Sequence, residues 1–380
     1  MTIDPSSAGR AGHRLLFVSH EASRTGAPRI GVDVLEALAG LPIERVTVLR
    51  WPGPLGEELA RASDRFQLEP LRHLRVALRR FKSSKPLAIR LEQRVAAGIL
   101  RRVDPDLVYL NTVISACYAR PALEQGRRVV LHVHELEPLA SRTLARYQLR
   151  DLYGRMQLVA CSEPVRENLA RISGVPRDRI EVLPSLVNEE RVRRLAGSAA
   201  PGSGTPLRVG ACGTADRRKG FDLWLTAVAE VVRSCPEVPT CFTWIGRRDD
   251  PWAERSLRAA GEVATRVELT GEVSNPYPLL GSLDLLVHAA REDPFPLVVL
   301  EAMCLGVPVV AFRVGGVPDQ LGDAGVLVPP EDTAGLAREV TALLRDPARR
   351  RELGARGRER FERCFGHTAF REQVRRLVFG

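Results

Sequence analysis

The sequence lacks any pair of cysteines in CxxC spacing. Its seven cysteines (Cys117, Cys161, Cys212, Cys235, Cys241, Cys304 and Cys364) are odd in number and scattered. That pattern excludes a disulfide framework and a zinc site, and a reducing, cytoplasmic setting is expected. No window reaches the roughly 18 uninterrupted apolar residues of a membrane span. Met1–His13 carries no apolar signal core. The expectation is a cytoplasmic chain, at most peripheral on the inner membrane face. No HExxH spacing and no Ser/His/Asp order competes for its histidines.

Net positive charge is scarce over most of the chain, although the formal total is +10. Pro70–Arg102 alone holds ten Lys and Arg against one acid, Glu92. The remainder is nearly neutral and shows no nucleic-acid-binding module, so no nucleic-acid partner is expected. The segment 70–102 mixes apolar and cationic residues at helical spacing. Three readings stay open: peripheral contact with an anionic membrane, a solvated helix pair steering an acidic acceptor, or a surface merely rich in arginine.

A chain of 380 residues with 44% apolar content exceeds one core and suits two domains. LLFVSH reads as a buried strand, Gly26-Ala27-Pro28 as the loop after it, and IGVDVLEALAG as an amphipathic helix. The same order recurs from Leu207: LRVGAC, a loop from Gly213 to Gly220, then FDLWLTAVAEVVRSC. Short apolar runs alternate with helical patterns in both halves: DLVYLN, RRVVLHVH, LVACS and IEVLP, then CFTWIG, VELTGE, LDLLVHA, VPVVAF and AGVLVP. Such runs read as buried parallel strands. Ala196–Pro206 is small, polar and rich in Pro and Gly, the composition of a linker. The expected fold class is α/β, two Rossmann-like doubly wound domains with a ligand cleft between them.

Leu283–Leu327 is the most informative stretch. A strand, LLVHA, runs into Arg291-Glu292-Asp293; Pro294-Phe295-Pro296 then leads into the helix LVVLEAMCL, which Gly306 and Pro308 stop. The first turn leaves N–H groups near Leu297 and Val298 unpaired, a natural phosphate site. Glu301, little more than a turn later, accepts hydrogen bonds only when ionised and so suits ribose hydroxyls. The bland alternatives are a helix N-cap for Asp293 and a solvated helix face for Glu301.

This stretch resembles glycosyltransferase family 4, the group 1 retaining glycosyltransferases of GT-B fold. Their hallmark is two acids with seven positions between them, ahead of Ala-Met and Gly-x-Pro-Val-Val. Here these are Asp293 and Glu301, Ala302-Met303 and Gly306-Val307-Pro308-Val309-Val310, with Gly315-Gly316-Val317-Pro318 in register downstream. The resemblance implies that Glu301 holds the nucleotide ribose and that the first acid, normally Glu, lies near the transferred sugar. Either Asp293 or Glu292 fills that place, with Phe295, Pro296, Leu297 and Val298 completing the donor side.

In Gly213-Thr214-Ala215-Asp216-Arg217-Arg218-Lys219-Gly220 three consecutive cations precede a helix, which suits a diphosphate. A solvated basic turn is the plain alternative. Family members carry Arg directly after the first Gly and Lys before the last; this chain keeps Lys219 but has Thr214 at the Arg position, so Arg218 or Arg217 takes that role. In RRVVLHVHELEP, period-two alternation puts His132 and His134 on one face. His134, at the strand end, matches the family's histidine over the transferred sugar, while His132 packs. Gly26 and Ala27 resemble the glycine-containing loop near donor phosphate and acceptor, and Asn111 ends a strand on the acceptor side.

The resemblance thus implies transfer of a sugar, with retention, from a nucleotide-diphosphate sugar to a hydroxyl acceptor. It needs no metal and no cofactor, and the catalytic set is His134, Asp293, Lys219 and Arg218. The expected domains are an acceptor-binding domain at 13–195, a linker at 196–206, a nucleotide-sugar-binding domain at 207–364, and a helix at 365–380 packing back toward the first domain. The rivals are a nucleotide-sugar epimerase of the same fold and a non-catalytic nucleotide-sugar-binding subunit.

Overall fold

Apolar runs buried on both faces form the centres of two parallel sheets in the computed structural model, which describes residues 13–71, 73–74, 85–198, 204–248 and 251–380. The first contains β1 (His13–Ser19), β2 (Ile43–Leu49), β3 (Arg65–Leu68), β4 (Leu107–Asn111), β5 (Arg128–Val133), β6 (Gln157–Ala160) and β7 (Glu181–Val182), in the order β3-β2-β1-β4-β5-β6-β7. The second contains β8 (Leu207–Cys212), β9 (Thr240–Ile245), β10 (Val267–Leu269), β11 (Leu285–His288), β12 (Val309–Phe312) and β13 (Val326–Val328), in the order β10-β9-β8-β11-β12-β13. In both, the strand order reverses beside the first strand, so each sheet is doubly wound. The crevices at the carboxyl ends lie between β1 and β4 and between β8 and β11, the ligand positions of such sheets.

The strand β1 shows why the centre forms: Leu15, Leu16, Phe17 and Val18 are fully buried, as a parallel strand covered on both faces requires. Two strands, β2 and β3, do not stand out in the sequence. IERVTVL interleaves charge with apolar residues, and RFQL is a short edge strand with its side chains part-exposed. The segment Gly26-Ala27-Pro28 is not a loop, contrary to the sequence reading. It forms the first turn of the helix Gly26–Ala37, where proline costs no intrahelical hydrogen bond. The glycine that close approach demands is Gly31: a Cβ there would lie 2.9 Å from both Asn111 Nδ2 and the Phe17 ring.

The chain divides into two units. One runs to Ser185 and takes back Phe370–Gly380; the other is Leu186–Ala369. In the first, the last helix (His367–Phe379) buries Phe370, Val374, Leu377 and Val378, and the Val378 carbonyl accepts from Arg128 Nη1 at 3.2 Å. The break at Ser185 precedes the Ala196–Pro206 stretch, of which 199–203 lie outside the described residues. The helix Glu189–Ala196 belongs to the second unit because Val192 and Ala196 are buried there. Asn275 Nδ2 also donates to the Leu195 carbonyl at 2.9 Å, and Arg193 pairs with Glu362 at 2.8 Å. The second unit's core centres on Phe221, Trp224 and Trp244; Trp244 meets the other two edge-on at 4.8 and 5.4 Å.

Much of the basic segment (residue 72 and residues 75–84) lies outside the described residues. Its remainder, the helix Lys85–Val103, buries Ala88, Glu92, Ala96, Ile99, Leu100 and Val103. Glu92, the segment's sole acid, is 1% exposed and accepts from Tyr147 Oη at 2.7 Å, with Arg50 at 3.6 Å. Arg50 also donates to Glu69, which takes the Tyr118 hydroxyl at 2.9 Å. The apolar side of this helix is therefore used by the core. Among the described residues no helix is long and apolar enough to cross a membrane.

Candidate functional site

Two loops leave neighbouring strands at the switch point of the second sheet, 213–220 after β8 and 289–296 after β11. Arg291 ties one to the other. Its N–H donates to the Arg218 carbonyl at 2.8 Å, its Nη1 to the Arg217 carbonyl at 2.8 Å, and its guanidinium grips both oxygens of Asp222 at 2.8 Å. Arg218 Nη1 returns a bond to the Glu292 carbonyl at 3.2 Å. The start of the cationic loop is pinned by Trp244 Nε1 on the Gly213 carbonyl (2.8 Å), and the Lys219 N–H is taken by Asp216 Oδ1 (2.7 Å). Thr214 is half-buried, and its carbonyl accepts from the Asp216 N–H at 2.8 Å.

Cation and acid meet as a result: Lys219 Nζ lies 2.5 Å from Asp293 Oδ2, and His288 Nε2 lies 3.5 Å from the same oxygen. Burial pushes the Asp293 carboxyl up, but Lys219, His288 and Arg218 outweigh it and hold the group below its ordinary value. Glu292 goes the other way: burial raises it, Arg218 opposes, and Asp293 adds to the rise. Of the two candidate first acids, Asp293 brings its carboxylate to Lys219, whereas Glu292 offers Arg218 its backbone carbonyl. The approach of His288 to Asp293 is not an ion pair at neutral pH, because burial lowers the imidazole to about 4 despite the pull of Asp293.

The helix Leu297–Leu305 follows, with Pro296 as its N-cap residue and no side-chain cap. Asp293 is therefore not the cap. Val299 is the first residue of the helix whose N–H finds a backbone acceptor, the Pro296 carbonyl at 3.2 Å; those of Leu297 and Val298 have none among the described residues. Phe295 and Val298 are each 8% exposed, with Phe295 edge-on to Phe365, so both contribute through backbone and packing. Glu301, one turn on, accepts from Tyr277 Oη at 3.2 Å. Its charge, after burial, helps push the Cys212 thiol up to about 12.

Glycines hold the acid loop from both sides. Gly220 has φ +70 and Gly315 φ +49, and a Cβ at either would fall 1.8 Å from a carbonyl oxygen, that of Ala289 or of Asp293. Gly315→Ala is therefore expected to destabilise by about 3 kcal/mol or more, since it adds backbone collision to left-handed strain. Gly40, at φ +75 with nothing within 4 Å of a Cβ, supplies the control. Gly40→Ala should cost only about 1 kcal/mol. Equal shifts in thermal unfolding midpoint would contradict this account of the loop.

In the first unit, three of the sequence-selected residues stand in one row. Asn111, ending β4, donates from Nδ2 to the Ala27 carbonyl at 2.7 Å, and its Oδ1 lies 3.1 Å from His134 Nε2. With Nδ2 committed as donor, Oδ1 must accept, which assigns the proton of His134 to Nε2. Burial, with His132 and His20 adding, holds His134 well below the ordinary imidazole value, so it is neutral. His132 packs beneath it, ring centroids 4.0 Å apart, with Nδ1 on the Tyr109 hydroxyl at 2.8 Å. The neighbouring carboxylate, Glu135, takes the N–H groups of His134 (3.0 Å) and Val113 (3.4 Å). Thr112, directly after Asn111, has φ 125, a strained position of the kind that gathers at functional sites.

Comparison with known proteins follows the same division of the chain. The family described as Glycosyltransferase Family 4 matches residues 10–191, and that described as Glycosyl transferases group 1 matches residues 206–346. The chain belongs to the family 4, group 1 glycosyltransferases. It is 28% identical over 402 residues to the 2-deoxystreptamine N-acetyl-D-glucosaminyltransferase of Streptomyces fradiae, covering 93% of this chain and 89% of that one. It is 40% identical over 99 residues to the N-acetyl-alpha-D-glucosaminyl L-malate synthase of Bacillus anthracis, covering 26% of each chain. Against this and the next curated relatives, a Mycobacterium tuberculosis glycogen synthase and a Segniliparus rotundus D-inositol 3-phosphate glycosyltransferase, the chain spans 26%, 49% and 56% of their lengths. Among solved structures, Anabaena HepE in complex with UDP and glucose superposes with a TM-score of 0.75 at 18% identity, covering 97% of this chain and all of that one. Sucrose-phosphate synthase from Thermosynechococcus elongatus gives 0.73 at 21% identity over 96% and 98%. The fold is the two-domain α/β GT-B fold.

Four residues of this candidate site escape a reading of the sequence for site residues: Arg291, Asp222, Tyr277 and His288. Arg291 and Asp222 stabilise the loop pair, Tyr277 orients Glu301, and His288 faces Asp293. Arg291 and Asp222 are 69 positions apart and Tyr277 and Glu301 24 apart, so no local spacing announces them. His288 and Asp293 belong to one strand and the loop after it, and it is the folding of that loop that turns them toward each other.

Proposed function

We propose that this chain transfers a sugar, with retention and without a metal, from a nucleoside diphosphate sugar held by the second unit to a hydroxyl acceptor. The observation that carries this is the pinned loop pair. It gathers Lys219 and Arg218, Asp293, two open N–H groups and Glu301 around one strand crossover. Cations and free amides suit the diphosphate, Asp293 the sugar, and Glu301 the ribose. The Anabaena HepE structures contain UDP and UDP-glucose, and a Corynebacterium glutamicum relative is named as GDP-mannose-dependent. A nucleoside diphosphate sugar is accordingly the donor class, with the base to be determined.

The step is a front-face displacement. The bond from the anomeric carbon to the diphosphate oxygen breaks, and the acceptor oxygen bonds to the same face of that carbon. The departing phosphate oxygen takes the acceptor's proton. Lys219, Arg218 and the Leu297 and Val298 N–H groups neutralise the charge that develops on the diphosphate. Neutral His134, with Nε2–H spent on Asn111, keeps Nδ1 as an acceptor nitrogen and carries no charge. The nearby carboxylate of Glu135 is engaged by backbone N–H groups, which favours this route over a glycosyl-enzyme at that residue.

Thermal-shift screening of UDP, GDP, dTDP and their sugars tests the reading. A ligand at 100 times its Kd stabilises by about 2.7 kcal/mol, and one base class is expected to respond well above the rest. No response from any would contradict the donor site. The exposed cations of the Lys85–Val103 helix, Lys85, Arg90, Arg94 and Arg101, suit either an anionic acceptor or an anionic lipid surface. Co-sedimentation with anionic vesicles at low salt separates the two.

A further inference from the structure

His288 ends β11, is 4% exposed, and its Nε2 has no hydrogen-bond partner although Asp293 Oδ2 lies 3.5 Å away. Asp293 is ionised, and two acceptors do not face each other at that distance, so Nε2 carries the proton and points at the carboxylate. A buried donor left just short of its acceptor is rare in a folded interior and calls for an explanation. The same carboxylate oxygen is already taken by Lys219 at 2.5 Å. Lys219 is the residue that the proposed function, on which this inference rests, assigns to the diphosphate. A diphosphate outweighs one carboxylate in charge and draws the ammonium away.

We propose that His288 is the positioning residue for Asp293 in the donor complex: as Lys219 turns to the diphosphate, His288 Nε2–H closes on Asp293 Oδ2 and keeps that carboxylate aimed at the transferred sugar. A neutral imidazole performs this without a second charge that would compete for the phosphates. Its place at the end of a buried strand fixes the direction of the bond. Lys219 and Arg218 approach from the 213–220 loop and Glu292 flanks Asp293 on the 289–296 loop, while Gly315 and Gly316 bring only backbone against Asp293. Among the described residues that face Asp293, His288 is thus the neutral side chain placed to take over.

The test uses full-length protein with ¹⁵N-labelled histidine and whichever nucleoside diphosphate of the UDP, GDP and dTDP set binds. On binding, the His288 Nε2–H proton resonance, identified by its loss in His288→Gln, should move downfield as the hydrogen bond forms. In transfer assays His288→Phe should lower kcat about tenfold to a hundredfold with donor KM within about twofold, the pattern of a group acting in the transition state. His288→Gln, which keeps an N–H donor, should recover most of that loss. Binding that leaves the resonance unmoved overturns the role of His288 alone. So do equal losses in the Gln and Phe variants. Absence of binding by any of the three nucleotides would instead reject the donor site itself, and this inference with it.

Discussion

Lys219→Ala should lower kcat/KM about a thousandfold, because in the proposed step it removes a partly buried cation assigned to the departing diphosphate. It should also destabilise the fold, and the two effects can be separated. Lys219 and Asp293 are 17% and 7% exposed at their side chains and share a short ion pair. Removing one partner leaves a buried carboxylate uncompensated, a loss on the order of 3 kcal/mol. Burial would then lift the Asp293 carboxyl unopposed by its strongest neighbour. The double variant Lys219→Ala/Asp293→Asn removes both charges and should regain most of the stability while staying inactive. Lys219→Arg keeps the charge and should stay closer to wild type in stability than in rate. Chemical denaturation beside steady-state kinetics measures both. A fully active Lys219→Ala would remove the residue from the mechanism.

His134 carries the second large effect. His134→Ala should reduce kcat about a hundredfold, with donor binding to the second unit little changed, since the residue acts through placement and hydrogen bonding. Its neutrality can be tested through the row Ala27–Asn111–His134. Asn111→Asp deletes the donor to the Ala27 carbonyl and sets a carboxylate against the imidazole. A neighbouring negative charge raises a histidine pKa that burial, His132 and His20 now hold far down. The sign follows. In the wild type, His134 stays neutral across the working range and adds no acid limb. In Asn111→Asp it gains a proton as pH falls through its raised value, and activity should fall with it. Profiles of kcat against pH that coincide for the two proteins would contradict the assignment of His134 as neutral and Asn111-bound.

The parts of this site that are legible in the sequence are those that local physics writes there. Runs buried on both faces, such as LLFVS and LLVHA, mark the central strands. The acid pair stands out because Pro and Gly bracket its helix. What the sequence hides is long-range or compromised by polarity. Strand β2 alternates charge with apolar residues, and the edge strand β3 is half exposed, so neither reads as a buried run. Pro28 suggested a loop, although a first helical turn accepts it. The unit boundary depends on Val192 and Ala196 being buried in the second unit, which composition around Ala196–Pro206 does not reveal. The Arg291–Asp222 clamp and the Tyr277–Glu301 bond exist only once the fold brings distant segments together, and the approach of His288 to Asp293 depends on how the loop after β11 folds back on its strand.

The measurement closest to the central claim is product analysis. The purified protein is incubated with the nucleotide sugar that stabilises it, a panel of hydroxyl acceptors and excess EDTA. The expected result is release of the nucleoside diphosphate, with the sugar joined to an acceptor in its original anomeric configuration at a rate EDTA does not change. A donor converted to its epimer without nucleotide release, or bound yet recovered intact, would contradict the assignment.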